Sequence, residues 1–186
     1  MKKLLKTLRL AFLCFLAMTI LCGIIYPGVV TGIAQIFFPG KANGSIITVT
    51  LKDGTKVNYG SQLIAQEFTK PQYLIGRPMK VSNLAPSSKE QKELVNKRVE
   101  WWHSFDPENK GEIPADLVMA SGSGVDPNIS PEAAEYQVSR IARERNMNVD
   151  EVRAIIARYT RGRFLGIWGE PAVNVLKVNL SLDGLI

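Results

Sequence analysis

LAFLCFLAMTILCGIIYPGVVTGIAQIFF, residues 10–38, contains no Asp, Glu, Lys or Arg. A helix through these 29 residues would be ~44 Å long at ~1.5 Å per residue, and a hydrocarbon core needs only ~20 residues. The run can span a membrane with residues to spare, and nothing else in the chain can. Pro27 lacks an N–H and crowds the preceding turn, so a kink or an end to the regular helix is expected there. Tyr26, Phe37 and Phe38 are placed for the exit interface, where aromatic side chains collect. Gly23, Gly28 and Gly32 permit close approach of another helix, and Gly28 with Gly32 forms a small-xxx-small pair.

Charge orients the span. Lys2, Lys3, Lys6 and Arg9 precede it with no acid among them, whereas the residues just after it, 39–44, carry Lys41 alone. Basic flanks stay cytoplasmic. The expected order is therefore a cytoplasmic basic segment 1–9, a membrane anchor with its exit segment 10–38, and an extracytoplasmic domain 39–186. A cleavable signal peptide is the rival, but its apolar stretch is normally ~7–15 residues. Leu13 before Cys14 and Leu21 before Cys22 also argue against a lipoprotein signal, which needs a small residue there. An uncleaved anchor is the expectation.

The formal net charge of +6 misleads when read globally. Removing the four basic residues ahead of the span leaves 19 basic against 17 acidic residues in the rest of the chain. That balance makes no case for nucleic acid or for a polybasic surface. Both cysteines lie in the span, so residues 39–186 have no disulfide, no thiolate metal site and no thiol nucleophile. Cys14 and Cys22 read as small apolar fillers. The remaining residues suit one globular domain.

Residues 46–51 are β-branched and Asp53-Gly54 signals a turn before 56–59, so a hairpin opens the domain. Residues 60–68 suggest a short helix capped by Ser61. Ser87-Ser88-Lys89-Glu90 has capping-box spacing and opens a helix to about Trp102, followed by a loop over 103–114. Ser130 as cap, Pro131 at the first position and Glu132 in the first turn mark the clearest helix start, with Ala134, Val138, Ile141 and Ala142 on its buried face. Asn146 and Asn148 break that helix. A second helix follows over 149–159, capped by Asn148 and striped by Val152, Ile155, Ile156 and Tyr159. Residues 173–180 alternate imperfectly and are expected as a half-buried strand. The fold class is α+β, a small sheet packed by several helices behind one transmembrane helix.

No constellation joins an acid, a base and an oxyanion site, so no catalytic residue is assigned. His103 has no second His or Cys with it and makes a poor metal site; no metal is expected. Ser121-Gly122-Ser123-Gly124 is not a Walker loop, which ends in Gly-Lys-Ser/Thr, and reads as a turn. Asp126 with Asn128 offers two oxygens, too few for a calcium loop. The residues alone describe an anchored outer domain for binding or assembly. A secreted enzyme released by signal cleavage and a single-span sensor or scaffold unrelated to transport are the other classes left open.

The order of motifs is more specific than any one of them. Tyr26-Pro-Gly-Val-Val-Thr-Gly-Ile-Ala-Gln, Ala42-Asn43-Gly44-Ser45, Gly60-Ser61-Gln62-Leu63-Ile64 and Gly76-Arg77-Pro78 appear in sequence. Pro114-Ala115-Asp116-Leu117-Val118 follows, then Ser121, Ser123, Gly124, Asp126, Asn128, Ser130, Pro131, Gln137 and Arg140, and finally Gly169-Glu170-Pro171 with Val173-Asn174-Val175. This series, over nearly the whole chain, resembles the C-subunit family (KdpC) of the Kdp-type potassium-transporting ATPases. One departure is that Val81-Ser82 meets Asn83-Leu84 directly, without the Ser-Gly-Gly-Ser insert often found before that Asn-Leu pair.

The resemblance implies a non-catalytic accessory subunit with no cofactor of its own. Its implied partners are a channel-like subunit that carries K+ and a pump subunit that hydrolyses ATP, with Mg, through an aspartyl phosphate. It implies an interface role for the motif positions from Ser121 to Arg140. Two functions follow from it: an outer cap that stabilises assembly on the channel-like subunit, or a chaperone that raises the pump subunit's ATP affinity. A domain outside the membrane cannot reach cytosolic ATP, so the charge-derived orientation favours the cap.

Overall fold

The computed structural model describes residues 1–80 and 83–186, so the junction that lacks the glycine-rich insert lies outside the described residues at Val81 and Ser82. The chain divides into two units, Met1–Ile46 and Ile47–Ile186. The first is dominated by one unbroken apolar helix, Lys2–Phe37, with an 18-residue window of mean hydropathy 2.4. It comprises α1 (Lys2–Ile20), a π-helical turn (Leu21–Ile25) and α2 (Tyr26–Phe37). Pro27 therefore does not end the helix. The widened turn just before it gives room for the proline ring where the carbonyl four residues back would otherwise clash. The regular helix stops instead at Phe38 (φ −137°), before a single turn α3 (Pro39–Ala42). Asn43 ties that turn back by donating to the Pro39 carbonyl and to Gln35 Oε1 at 2.8 and 3.1 Å. No residue of α1 or α2 is buried, as expected of a helix whose surroundings are lipid or other chains.

The domain opens with β1 (Ile46–Thr50) and β2 (Lys56–Ser61), a hairpin turned at Asp53-Gly54 with Gly54 at φ +84°. The helix expected over 60–68 does not form. Gly60 is left-handed (φ +130°), and the Gln66 side chain folds back to donate to the Tyr59 carbonyl at 2.6 Å. A Cβ on Gly60 would lie 1.8 Å from that amide nitrogen, so the position needs glycine. Ser61 Oγ accepts from the Leu63 amide and closes a turn rather than capping a helix.

α4 (Lys89–Phe105) is capped by Ser88, which accepts from the Gln91 amide. It continues a turn past Trp102 because Trp101, Trp102 and Phe105 pack together, Trp101 and Phe105 stacked at 4.4 Å. After α5 (Ala115–Val118) and β3 (Asn128–Ile129), the helix expected from Ser130 onward starts as foreseen, with Ser130 accepting from the Ala133 amide. It is divided at Tyr136 and Gln137 into α6 (Pro131–Glu135) and α7 (Val138–Arg145). Left-handed Asn146 (φ +53°) ends α7.

α8 (Val149–Arg158) carries a full capping box of Asn148 and Glu151. Replacing Asn148 with alanine is expected to cost about 1 kcal/mol. Thermal unfolding should show a drop of about 3 °C, largely recovered by Asn148→Ser.

β4 (Thr160–Arg161) and β5 (Ala172–Asn174) complete an antiparallel sheet in the order β3-β5-β4, with Val173 facing Ile129 on one side and Thr160 on the other. The strand expected over 173–180 ends at Asn174. That residue caps α9 (Val175–Leu182) by accepting from the Lys177 amide. The imperfect alternation is explained by a helix sunk into the core nearly all round: Val175, Leu176, Val178, Asn179, Leu180 and Leu182 are all buried. Val175, Val178 and Leu182 belong to the same buried cluster as Leu74, Trp102, Ile129, Ala133, Ile141 and Val152. Two small sheets with several helices make the α+β domain expected.

Candidate functional site

The polar residues inside this domain are organised around one strap, residues 71–75, a turn running into irregular chain that is held by side chains rather than by a neighbouring strand. Gln137 sits where α6 gives way to α7, fully buried. It accepts from the Ile75 amide at 2.8 Å and donates to the Ile75 and Ala133 carbonyls. Arg140, one turn later and only 1% exposed, donates to the Pro71 and Tyr73 carbonyls and to Gln137 Oε1. From α9, Asn179 pairs with both backbone groups of Leu74, at 2.8 and 2.9 Å. Arg145 donates to the Gln72 carbonyl, to the Leu182 carbonyl and to Asp183, whose other oxygen accepts from the Tyr73 hydroxyl. The strap's buried backbone groups thus receive the partners a sheet would otherwise supply.

Electrostatics show what this costs. Burial pulls the Arg140 guanidinium down to about 10, against an opposing pull from Asp106. The folded value lies below the ordinary one, so the unfolded chain binds more protons only above that pH. The burial cost is therefore constant near neutrality and is relieved only as pH rises past about 10. The rings of Phe105 and Trp102, 4.9 and 6.0 Å from the guanidinium carbon, offset part of it. Burial, and then the Asp183 hydrogen bond, hold the Tyr73 phenol above its usual range.

The remaining motif positions form a second group on the connection between α5 and α6. Ser121 Oγ accepts from the Gly124 amide, Ser123 Oγ from the Val125 amide, and Asp126 Oδ1 from the Asn128 amide and side chain. These bonds shape the connection as a series of side-chain-closed turns, as the reading of 121–124 as a turn expects. Asp116 joins the connection to the strap's continuation: one carboxylate oxygen meets Arg77 at 2.9 Å and the other accepts from the Ser130 amide at 2.7 Å. Asp126, Asn128, Ser130 and Pro131 come together along an open hollow of about 400 Å³. Of the carboxylates around it, Asp116 is paired with Arg77, which also lines it, and Glu170 with Arg163, which leaves Asp126 and Glu132 outside any ion pair among the described residues. Gln137 and Arg140 lie away from it, in the core.

In the membrane helix, a Cβ built on Gly23, Gly28 or Gly32 meets nothing within 4 Å, so the glycine face is open to another chain. His103 is exposed on the last turn of α4. Among the described residues no group of three or more His, Cys, Asp or Glu is arranged to hold a metal ion. Sequence reasoning missed Arg77, Arg145, Asn179 and Asp183 as clamp residues. Their partners lie tens of residues away, backbone groups for Asn179, backbone and side-chain groups for Arg77 and Arg145, and the Tyr73 hydroxyl and Arg145 for Asp183, and no local spacing encodes that.

Comparison with known proteins agrees with the motif order. The family described as "KdpC: K+-transporting ATPase, c chain" matches residues 8–184. A "Potassium-transporting ATPase KdpC subunit" of Listeria monocytogenes is 55% identical over 188 residues, covering 100% of this chain and 99% of the relative. Proteins of the same description from Clostridium perfringens and a Janthinobacterium species are 51% and 44% identical, over 97% and 96% of this chain and 98% of each relative. With one apolar helix, one domain built on a side-chain clamp and a family match over almost every residue, the chain belongs to the KdpC family, the c chains of K+-transporting ATPases.

Proposed function

We propose that this subunit stabilises assembly of an ATP-driven K+ uptake complex and caps its channel-like subunit on the outer side. The chain itself is a non-catalytic accessory subunit of a K+-transporting ATPase. K+ is the transported ion, and ATP with Mg is used by the pump subunit. The observation that carries the reading is the bilayer-length helix whose Gly23, Gly28 and Gly32 have no neighbour in their own chain. An apolar helix with a bare glycine face gains from packing against another helix. Four basic residues before the span against Lys41 after it support an extracytoplasmic domain.

The docking face we assign is the connection carrying Ser121, Ser123, Gly124, Asp126, Asn128, Ser130 and Pro131; Gln137 and Arg140, being buried, are not part of it. The Asp126 and Glu132 carboxylates of its hollow favour cations near the mouth it would cover.

The test is a phosphatase or fluorescent-protein reporter fused after Ile186, together with affinity purification of the tagged chain from membranes. An extracytoplasmic reporter and two large polytopic partners are expected. A reporter active only in the cytosol would overturn the cap and favour the ATP-affinity role. Purification without those partners would favour a binding domain unrelated to transport.

A further inference from the structure

The connection between β4 and β5 projects a small apolar hairpin that neither the clamp nor the hollow beside Asp126 uses. Phe164 and Trp168 exchange both backbone hydrogen bonds, at 2.7 and 3.0 Å, and their rings stack at 6.2 Å. Leu165 and Gly166 turn the chain in the left-handed region, at φ +51° and +75°. The result is a fixed tip whose four large apolar side chains face water: Phe164 is 69% exposed, Leu165 71%, Ile167 71% and Trp168 62%. A non-glycine residue held at positive φ in order to present such a tip points to a surface made for contact.

The strands that carry the hairpin also border an open hollow of about 630 Å³. Three cationic side chains, Arg158, Arg161 and Lys177, line it beside Asn128 and Asn174, and none of its lining residues is acidic. None of the three cations is in an ion pair with a described residue. Arg163, nearer the tip, is neutralised by Glu170 at 2.8 Å. Outside the segment ahead of the span, basic and acidic residues nearly balance, 19 against 17, so this unpaired positive cluster is a local feature.

We propose that this hairpin and its basic hollow dock the domain on an anionic phospholipid surface. The tip enters the boundary between headgroups and acyl chains, and the hollow takes a headgroup phosphate. Exposed Trp, Phe, Leu and Ile next to Arg and Lys is the composition that seats at that boundary. A phosphate oxygen is the acceptor for which guanidinium and ammonium groups are matched. Only residues 38–45 separate the apolar helix from β1, so the bilayer is within tethered reach of the domain. The inference rests on membrane anchoring alone, not on which partner the chain has or which side the domain occupies.

The test uses the full-length chain alone in lipid nanodiscs that carry a fluorescence quencher at the acyl–headgroup boundary. The Trp168 signal is isolated as the difference between the wild type and Trp168→Phe. In nanodiscs rich in phosphatidylglycerol Trp168 is expected to be quenched, and in pure phosphatidylcholine the quenching should fall to half or less. Each basic side chain near an anionic surface strengthens contact about fivefold, so Arg158→Gln, Arg161→Gln and Lys177→Gln together should weaken docking on the order of 100-fold. Their quenching should then match phosphatidylcholine, while inorganic phosphate added to the wild type should leave its quenching unchanged. Absence of Trp168 quenching in the anionic nanodisc would overturn the proposal. So would quenching that the triple variant retains, competition by free phosphate, or shielding of Trp168 only once other subunits are bound.

Discussion

Replacing Gly28 and Gly32 together with leucine is expected to strip the chain from its partners while leaving the chain itself folded. Beyond the helix's own backbone, a Cβ at either position meets no described residue within 4 Å, so the new side chains clash with nothing around them in the helix. Leucine is also the better helix former, by roughly 1 kcal/mol per site. Any loss therefore falls on packing against another helix, which a small-xxx-small face permits and two leucines prevent. Partner subunits recovered with the tagged chain should fall at least about tenfold, a change of ~1.4 kcal/mol or more, and K+ uptake should fall with them. Val30→Leu, on a different face of α2, is the control and should leave recovery unchanged. Undiminished recovery and uptake in the double variant would remove the packing claim.

The second large effect lies in the core. Arg140→Ala should lower the stability of the domain by about 3 kcal/mol, because it leaves the Pro71 and Tyr73 carbonyls and the Gln137 side chain short of a donor and opens a void between Phe105 and Trp102. The cost of burying the guanidinium, visible in its lowered pKa, is recovered and limits the total. Near-UV circular dichroism, dominated by the Trp102 environment, should report a melting temperature about 10 °C lower. Arg140→Lys should not restore it, since one ammonium cannot reproduce the guanidinium fork across three acceptors. Arg140→Met should fail as well. Its two carbonyl partners belong to the backbone and cannot be made apolar in compensation. A melting temperature within about 2 °C of the wild type in the alanine variant would show that the strap does not depend on this clamp.

Much of the fold was legible because it is written in short-range chemistry. The long apolar helix follows from an uncharged run, and the Ser130 and Asn148 caps from the Pro, Asp and Glu residues just after them. The start of α4 follows from the Ser87–Glu90 spacing to within one residue of its true cap Ser88, and the α6–α8 core faces from helical spacing. The misreadings share one cause, which is competition from groups distant in sequence. Residues 60–68 have helix-like spacing, but the Ala65 amide is taken by the Val125 carbonyl and Gly60 is bent to suit Gln66. Residues 173–180 look like a weak strand. Asn174, however, switches the chain into a helix so deeply buried that its polar residue Asn179 must find a partner, and finds it in Leu74.

The candidate site divides in the same way. Gln137 and Arg140 stood out as motif positions, yet nothing near them in the chain says that they grip a strap more than sixty residues earlier. The hairpin at 162–169 carries no short-range signal beyond its three glycines. Its apolar residues became a surface only once β4 and β5 paired and turned them outward.

By itself the sequence determined the long apolar helix, the α+β class, most of the caps and the family, because each depends on residue type at fixed local spacing. Only the tertiary structure decided where the buried polar groups are satisfied and which exposed groups stand together. Those outcomes depend on which distant backbone a side chain meets, and burial makes an unmet hydrogen bond too costly to leave to chance.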